Sequence, residues 1–156
     1  MTLSSPFSTA AVGEERDATF LLVDDDDATN FLHRRTIRRA VEAARVDDVG
    51  DGAAGIAYLR ARLHAGQAPP AFIFLDINMP RLDGWGFLEQ YRELSAPWRV
   101  GTRLFVLTTS LNPDDRARAT AYPEVAGVVD KVLDVAKLSA ILGGGVPGVG
   151  GGEAPA

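Results

Sequence analysis

The chain has 156 residues, of which 46% are hydrophobic and 24% charged, and it contains no cysteine. These values are typical of one globular domain, and they exclude disulfide scaffolds, thiol catalysis and cysteine-ligated zinc. Its 16 basic and 21 acidic residues give a net charge of −5, which argues against a nucleic-acid-binding surface because such a surface needs a basic patch.

Both ends of the chain lack the apolar periodicity of packed elements. Residues 1–17 are rich in Ser, Thr and Ala without a secretory signal pattern, and we expect them to be mobile. Residues 143–156 (GGGVPGVGGGEAPA) form a Gly/Pro-rich tail that we expect to be disordered. No apolar run approaches the roughly 20 residues of a membrane-spanning helix. We therefore predict a cytoplasmic protein that makes no membrane contact, with a folded unit at residues 18–142.

Short apolar runs alternate with helical patterns along this unit. In chain order, strands are predicted at residues 19–24, 46–49, 72–76, 104–108 and 125–129. The helices predicted after them span residues 26–44, 53–63, 84–94, 112–121 and 134–142. Strands that alternate with helices indicate an α/β fold with a doubly wound parallel sheet. Ligands of such folds bind at the carboxyl ends of the strands.

Several side chains can be assigned within these helices. The first helix has apolar residues at roughly helical spacing, which we expect to face the core: Phe31, Leu32, Ile37 and Val41. In the third helix the same is expected of Trp85, Leu88 and Tyr91. Asn112 is predicted to cap a helix that has Pro113 at its first position, and Gly143 to end the last one. His33 and His64 have no second metal-type ligand at helical spacing, so we expect both at the surface.

Polar side chains follow four of the five predicted strands, namely Asp24 to Asp27, Asp76, Thr108 to Ser110, and Lys131. Each type alone has an ordinary structural role, since acidic runs cap helices, threonine favours strands and lysine is usually exposed. A parallel sheet, however, gathers all of them at one edge. Carboxylates there would bind a hard divalent cation such as Mg²⁺, whereas a hydroxyl and an ammonium suit phosphoryl oxygens. The combination predicts a phosphoryl-transfer site.

Four segments resemble the receiver domain of two-component response regulators. They are residues 21–26 (LLVDDD), 74–84 (FLDINMPRLDG), 106–110 (VLTTS) and 129–131 (VDK), and LDINMPRLDG is the most specific of them. The resemblance covers nearly all of residues 18–142. It implies a flavodoxin-like (βα)₅ sheet with strand order 2-1-3-4-5.

The resemblance also implies a function. It identifies Asp76 as the acceptor of a phosphoryl group from a histidine kinase, Thr108 as the switch hydroxyl and Lys131 as the partner of the phosphoryl group. The chain would then be a single-domain response regulator, a phosphorylation-dependent switch or phosphorelay intermediate without a DNA-binding output domain. It would not be a classical enzyme, although it would phosphorylate itself from small donors and dephosphorylate itself.

The same resemblance assigns a metal site and two residues that set the phosphoryl lifetime. Mg²⁺, with Mn²⁺ as a substitute, would be held by Asp25, Asp76 and the main-chain carbonyl of Asn78, and Asp24 would act through a water. The side chains of Asn78 and Ser110 occupy positions that tune water access to the phosphorylated state.

Two residues depart from the family pattern. Val132 follows Lys131 where receivers usually have a cis proline, so we expect a trans bond and a different loop before the last helix. Val128 replaces the aromatic residue that usually lies three positions before the lysine, which puts the aromatic readout and the usual output face in doubt.

The partners are predicted from two further patterns. The segment LTTSLNPDD is similar to single-domain receivers that partner phytochrome-type light-sensing kinases, which would make such a kinase the donor. The last strand and last helix could form a homodimer through an apolar surface, unless these residues belong to the core: Val125, Val128, Val135, Leu138, Ile141 and Leu142. A downstream target or phosphotransfer protein would receive the signal.

Other interpretations of the same residues are a dinucleotide-binding loop, a phosphatase and an adaptor. Residues 50–55 match G-x-G-x-x-G, but they follow the second strand rather than the first, so Gly52 is interpreted as a turn residue. Asp25 to Thr29 fits the D-x-D-x-T pattern of haloacid-dehalogenase phosphatases, with Asp25 as nucleophile and Asp27 as general acid, although Asp25 lies one residue after the strand end. A third alternative is an adaptor that has the receiver fold without phosphorylation.

Overall fold

The computed structural model describes residues 18–79, 82–109 and 112–144. The strands are β1 (Thr19–Val23), β2 (Arg45–Val49), β3 (Phe72–Asp76), β4 (Arg103–Thr108) and β5 (Val125–Asp130). The helices are α1 (Asp27–Ala40), α2 (Gly52–His64), α3 (Gly84–Tyr91), α4 (Ala96–Arg99), α5 (Pro113–Thr120) and α6 (Val135–Leu142). The expected mobile segment 1–17 and residues 145–156 of the expected tail lie outside the described residues. None of the described helices is long and apolar enough to cross a membrane.

The five strands form one parallel sheet with the order β2-β1-β3-β4-β5, which confirms the predicted fold. β3 therefore lies at the centre, with β1 on one side and β4 on the other. Because all strands run in the same direction, their carboxyl ends meet at a single edge of the sheet. This edge carries the polar residues that the sequence placed after the strands.

Each face of the sheet packs against its own helices. One face buries Phe20, Phe74 and Phe105 against α1 and α6, with the Phe74 and Phe105 ring centroids 6.0 Å apart. The other face buries alternate strand residues such as Leu21 and Val106 against α2, α3 and α5. Since both faces are covered, the central strands β1, β3 and β4 consist mainly of apolar residues, whereas the edge strand β2 (RVDDV) does not.

The helix termini follow local capping chemistry. As predicted, Asn112 caps α5, and its side chain accepts a hydrogen bond from the Asp114 N–H. The helix α1 ends at Ala40, four residues before the predicted end, because Val41 has extended backbone angles. Similarly, α3 ends at Tyr91, and the short helix α4 after it was missed by the sequence interpretation.

The predicted apolar face of α1 is wrong at two positions. Phe31 and Leu32 are 58% and 55% exposed, whereas Asn30, His33 and Ile37 are buried. The helix is oriented by polar contacts as well as apolar ones. Asn30 donates to the Asp24 carbonyl, and His33 accepts from the Leu133 N–H. His33 is therefore not a surface residue, although His64 is exposed as predicted.

Gly52 is also placed differently from the prediction. It is the first residue of α2 rather than a turn residue, and its N–H donates to the Leu82 carbonyl over 3.0 Å. A Cβ at this position would lie 2.5 Å from the same carbonyl oxygen. Glycine is needed here because the backbone of α2 approaches the segment before α3.

The surface predicted to form a homodimer is largely core. Leu138 and Ile141 are fully buried on the inner side of α6, and Val128 is buried on the opposite face of the sheet. Only Val135 among these residues is substantially exposed. The six residues therefore do not form the continuous apolar surface that the dimer prediction required.

Acid should destabilise this fold through His33. Burial is the main reason why the pKa of His33 lies below its usual 6.5; Lys131 and Lys137 act in the same direction and Asp24 opposes them. The unfolded chain then takes up a proton at a pH where the native state does not. We expect the free energy of unfolding to fall as the pH decreases below 6.5, by up to about 1.4 kcal/mol per pH unit.

Urea titrations at several pH values measure this slope. His33→Gln should flatten the decrease in that pH window, and His64→Gln, which changes an exposed histidine, should leave it in place. Equal slopes in wild type and His33→Gln would contradict the assignment.

Candidate functional site

Four polar side chains lie together at the carboxyl edge of the sheet. Asp24 follows β1, Asp76 ends β3, Thr108 ends β4 and Lys131 follows β5. Asp24, Asp76 and Thr108 are buried, and Lys131 is largely buried. The Lys131 Nζ lies 2.9 Å from Asp24 Oδ2 and 3.2 Å from Asp76 Oδ2. Residues far apart in the sequence thus form one charged cluster, as the parallel topology predicts.

The Asp76 carboxylate is held at both oxygens. Its Oδ1 accepts a hydrogen bond from the Asn78 N–H over 3.2 Å, while its Oδ2 faces the Lys131 ammonium. Burial is the main cause that raises the pKa of this carboxyl above its usual range; the charge of Asp24 adds to it, while Asn78 and Lys131 oppose it. Any further positive charge near Asp76 would therefore stabilise its ionised form.

The Lys131 side chain is placed by the end of β5. The backbone N–H of Lys131 donates a hydrogen bond to the Thr108 carbonyl over 2.9 Å, so the pairing of β5 with β4 continues to this residue. Burial acts to lower the pKa of the ammonium, but the contacts with Asp24 and Asp76 outweigh it and the pKa lies above its usual value. Lys131 is therefore a fixed positive charge at the site.

Three carboxylates are close enough to share a divalent cation. One oxygen from each of Asp24, Asp25 and Asp76 lies within 4.8 Å of the other two. Asp25 is exposed, whereas Asp24 is fixed by a hydrogen bond from the Asp26 N–H to its Oδ1 over 2.9 Å. One ammonium leaves negative charge in excess, and a set of hard oxygen donors suits Mg²⁺ or Mn²⁺. The residues present thus fit the expected metal.

The remaining predicted site residues have mixed outcomes. The side chain of Asn78 is exposed beside the cluster, which is compatible with an influence on water access. Ser110 lies outside the described residues. Asp27, which the phosphatase alternative requires as an acid, is an exposed residue in the first turn of α1.

The loop after Lys131 contains a feature that the sequence interpretation only partly anticipated. Every peptide bond in the described ranges is trans, as expected for residue 132, but Val132 has a φ of 76°. This left-handed conformation is unusual for a β-branched residue. The neighbouring Leu133 N–H donates to His33 on α1, a contact that could not be inferred from spacing because the two residues are far apart in the chain.

Comparisons with known proteins agree with this geometry. The family model described as the response regulator receiver domain matches residues 20–143. A two-component response regulator from Cytophaga hutchinsonii is 33% identical, with a TM-score of 0.72 over 79% of this chain and 92% of that chain. The phosphorylated cyanobacterial phytochrome response regulator RcpA is 27% identical, with a TM-score of 0.65 over 82% and 90% of the two chains.

A further relative is the response regulator Rcp1 of Synechocystis, which is 31% identical over 96 residues, 61% of this chain and 64% of the relative. A crystal structure of an Mn²⁺-bound form of Rcp1 has 26% identity and a TM-score of 0.63 over 81% and 90% of the two chains. The chain spans less than two thirds of the length of the curated relatives that it matches. Since the family model covers most of the chain and the fold and acidic cluster agree with it, this chain belongs to the response regulator receiver domain family.

Proposed function

We propose that the chain accepts a phosphoryl group from a histidine kinase on Asp76 and acts as a phosphorylation-dependent switch in cytoplasmic two-component signalling. We take its receiver unit to span residues 18–142. The observation that carries the proposal is the position of the buried Asp76 carboxylate, 3.2 Å from the Lys131 Nζ and next to Asp24 and Asp25. This arrangement offers a nucleophile and positive charge at the same point.

The transfer needs few groups from the protein. An Asp76 carboxylate oxygen forms a bond to phosphorus while the bond between phosphorus and the donor imidazole nitrogen breaks, and that nitrogen keeps the electron pair. Lys131 would balance the charge of the phosphoryl oxygens, and the hydroxyl of Thr108, at the end of β4, would donate a hydrogen bond to one of them. Asp25 and Asp76, with Asp24 acting through a water, would hold a Mg²⁺ ion, which supplies further charge neutralisation when bound.

The donor is proposed to be a phytochrome-type kinase. Support comes from the likeness to RcpA, which is described as a phytochrome response regulator, together with the sequence LTTSLNPDD in this chain. Phosphotransfer from a purified kinase of this type, compared with kinases of other sensor classes, would test the choice of donor.

Phosphorylation from a small donor tests the central proposal. After incubation with Mg²⁺ and acetyl phosphate, we expect the intact mass of the wild-type protein to rise by one phosphoryl group and return with time as the aspartyl phosphate hydrolyses. Continuous release of free phosphate that survives Asp76→Asn but not Asp25→Asn would instead favour the phosphatase alternative. The absence of labelling by both acetyl phosphate and a kinase panel would favour an adaptor.

Mg²⁺ should stabilise the fold through the acidic cluster. A ligand that binds only the native state at a hundred times its Kd adds about 2.7 kcal/mol to the free energy of unfolding. We expect saturating Mg²⁺ to raise the Tm of the wild type and to have a much smaller effect on Asp25→Asn. The variant Asp114→Asn, which changes an exposed carboxylate of α5, should respond like the wild type; an equal response of Asp25→Asn would contradict the metal assignment.

A further inference from the structure

His33 is a polar residue buried where α1 meets α6. Its side chain is 3% exposed, and its Nε2 accepts a hydrogen bond from the Leu133 N–H over 3.2 Å. An imidazole nitrogen that accepts a hydrogen bond carries no proton, so the ring is neutral with its proton on Nδ1. Apolar residues such as Ile37 of α1 and Leu138 of α6 pack in this layer.

The segment that His33 contacts is held in a strained conformation. Val132 has a φ of 76°, which costs free energy for a side chain branched at Cβ. Such a conformation persists only where the flanking residues fix it. On one side the Lys131 N–H is bonded to the Thr108 carbonyl, and on the other the Leu133 N–H is bonded to His33. The Lys137 ammonium also donates to the Val132 carbonyl over 3.1 Å.

We propose that His33 is a positioning residue for Lys131. By accepting the Leu133 N–H it fixes the strained Val132 loop, and this loop sets the direction in which the Lys131 side chain leaves β5 toward Asp24 and Asp76. The inference rests on the proposed function of that site. His33 does not touch the reacting atoms; it acts through the backbone of Leu133 and Val132.

The effect of losing this hydrogen bond follows from the burial of Leu133, which is 3% exposed. An apolar residue at position 33 would leave the Leu133 N–H buried without a partner, which is costly. The segment could recover by moving Leu133 toward water and letting Val132 return to an ordinary φ. Either movement would shift the Lys131 ammonium away from the two carboxylates, from which it now lies 2.9 Å (Asp24) and 3.2 Å (Asp76).

The test compares phosphorylation rates from acetyl phosphate at fixed Mg²⁺. We expect His33→Leu to be slower than wild type by about tenfold to a hundredfold, as small misplacements of a reacting or charged group can produce. His33→Gln should stay near the wild-type rate because its amide oxygen can accept the same N–H. His64→Leu, which removes the exposed histidine, is the matched control. Should His33→Leu not fold, His33→Asn takes its place with the same expectation, since its shorter amide stops short of Leu133.

A second comparison separates positioning from general stability. Val132→Gly removes the strain of the positive φ, so that after loss of the His33 contact only the unpaired Leu133 N–H still drives the loop to relax. The substitution His33→Leu should therefore slow phosphorylation much less in the Val132→Gly variant than in the wild type. A merely structural role for His33 would give the same loss in both backgrounds.

Hydrogen exchange of the Leu133 amide, followed by NMR, gives a readout that does not depend on phosphorylation. Exchange should be slow in wild type and His33→Gln and fast in His33→Leu. If the wild type is not phosphorylated at all, the proposed function fails, while this exchange pattern still reports on whether His33 holds the loop. Equal phosphorylation rates in folded wild type and His33→Leu, or equal slowing by Leu and Gln, would overturn the proposal.

Discussion

Asp76→Asn should take up no phosphoryl group from acetyl phosphate under conditions that label the wild type. The side-chain amide of asparagine is a poor nucleophile, so it does not form the acyl phosphate that a carboxylate forms. The fold should be retained, because asparagine has nearly the same shape and its carbonyl oxygen can still accept the Asn78 N–H. Intact mass, recorded over a time course, measures the loss directly.

Two matched variants give this experiment its specificity. Asp27→Asn changes an exposed carboxylate in the first turn of α1 and should be labelled like the wild type. Asp25→Asn should be labelled slowly, because it removes one ligand of the acidic cluster without removing the nucleophile. If Asp76→Asn were still labelled and Asp25→Asn were not, Asp25 would be the nucleophile, as the phosphatase alternative requires.

Gly84→Ala should lower the free energy of unfolding by about 3 kcal/mol, which is the upper end of the usual cost of overpacking a protein core. A Cβ at residue 84 would lie 2.5 Å from the Ile77 Cα and 2.8 Å from the Asp76 carbonyl oxygen. Both neighbours are backbone atoms, so no side chain can rotate away to make room. The first turn of α3 would have to separate from the end of β3, which carries Asp76.

Gly50→Ala provides the control for this substitution, because a Cβ there meets no heavy atom within 4 Å. Chemical denaturation should show a large decrease in the free energy of unfolding for Gly84→Ala. For Gly50→Ala the free energy of unfolding should change by no more than about 0.5 kcal/mol, as is usual for exposed positions. A small effect of Gly84→Ala would mean that the segment between β3 and α3 moves freely, contrary to the tight approach observed.

The sequence was sufficient to predict the sheet and the charged cluster because both follow from short-range patterns. Continuous apolar runs such as residues 72–76 indicate strands covered on both faces, and a parallel sheet brings their carboxyl ends together whatever the intervening helices do. The helix caps, such as Asn112, were predictable for the same reason: the capping side chain bonds to the backbone two residues along.

The orientation of α1 and the environment of its residues could not be predicted in this way. Whether Phe31 or His33 faces the interior depends on which partner lies opposite, and that partner, Leu133, comes from the far end of the domain. The periodicity of apolar residues therefore predicted that Phe31 faces the core, whereas in the structure Phe31 is exposed and His33 is buried. Gly52 was misjudged for the same reason, because the carbonyl of Leu82 that requires a glycine is not nearby in the sequence.

The placement of Asp24 after the first strand and Lys131 after the last has a consequence for biosynthesis. As the protein leaves the ribosome, Asp24 and Asp76 are available long before the lysine that neutralises them. An emerging chain would hold two repelling carboxylates at an unfinished sheet edge, and the missing β5 would leave the β4 edge open. The capacity proposed for Asp76 to accept a phosphoryl group should thus appear only when synthesis is nearly complete, so that unfinished chains would not compete for the phosphoryl donor.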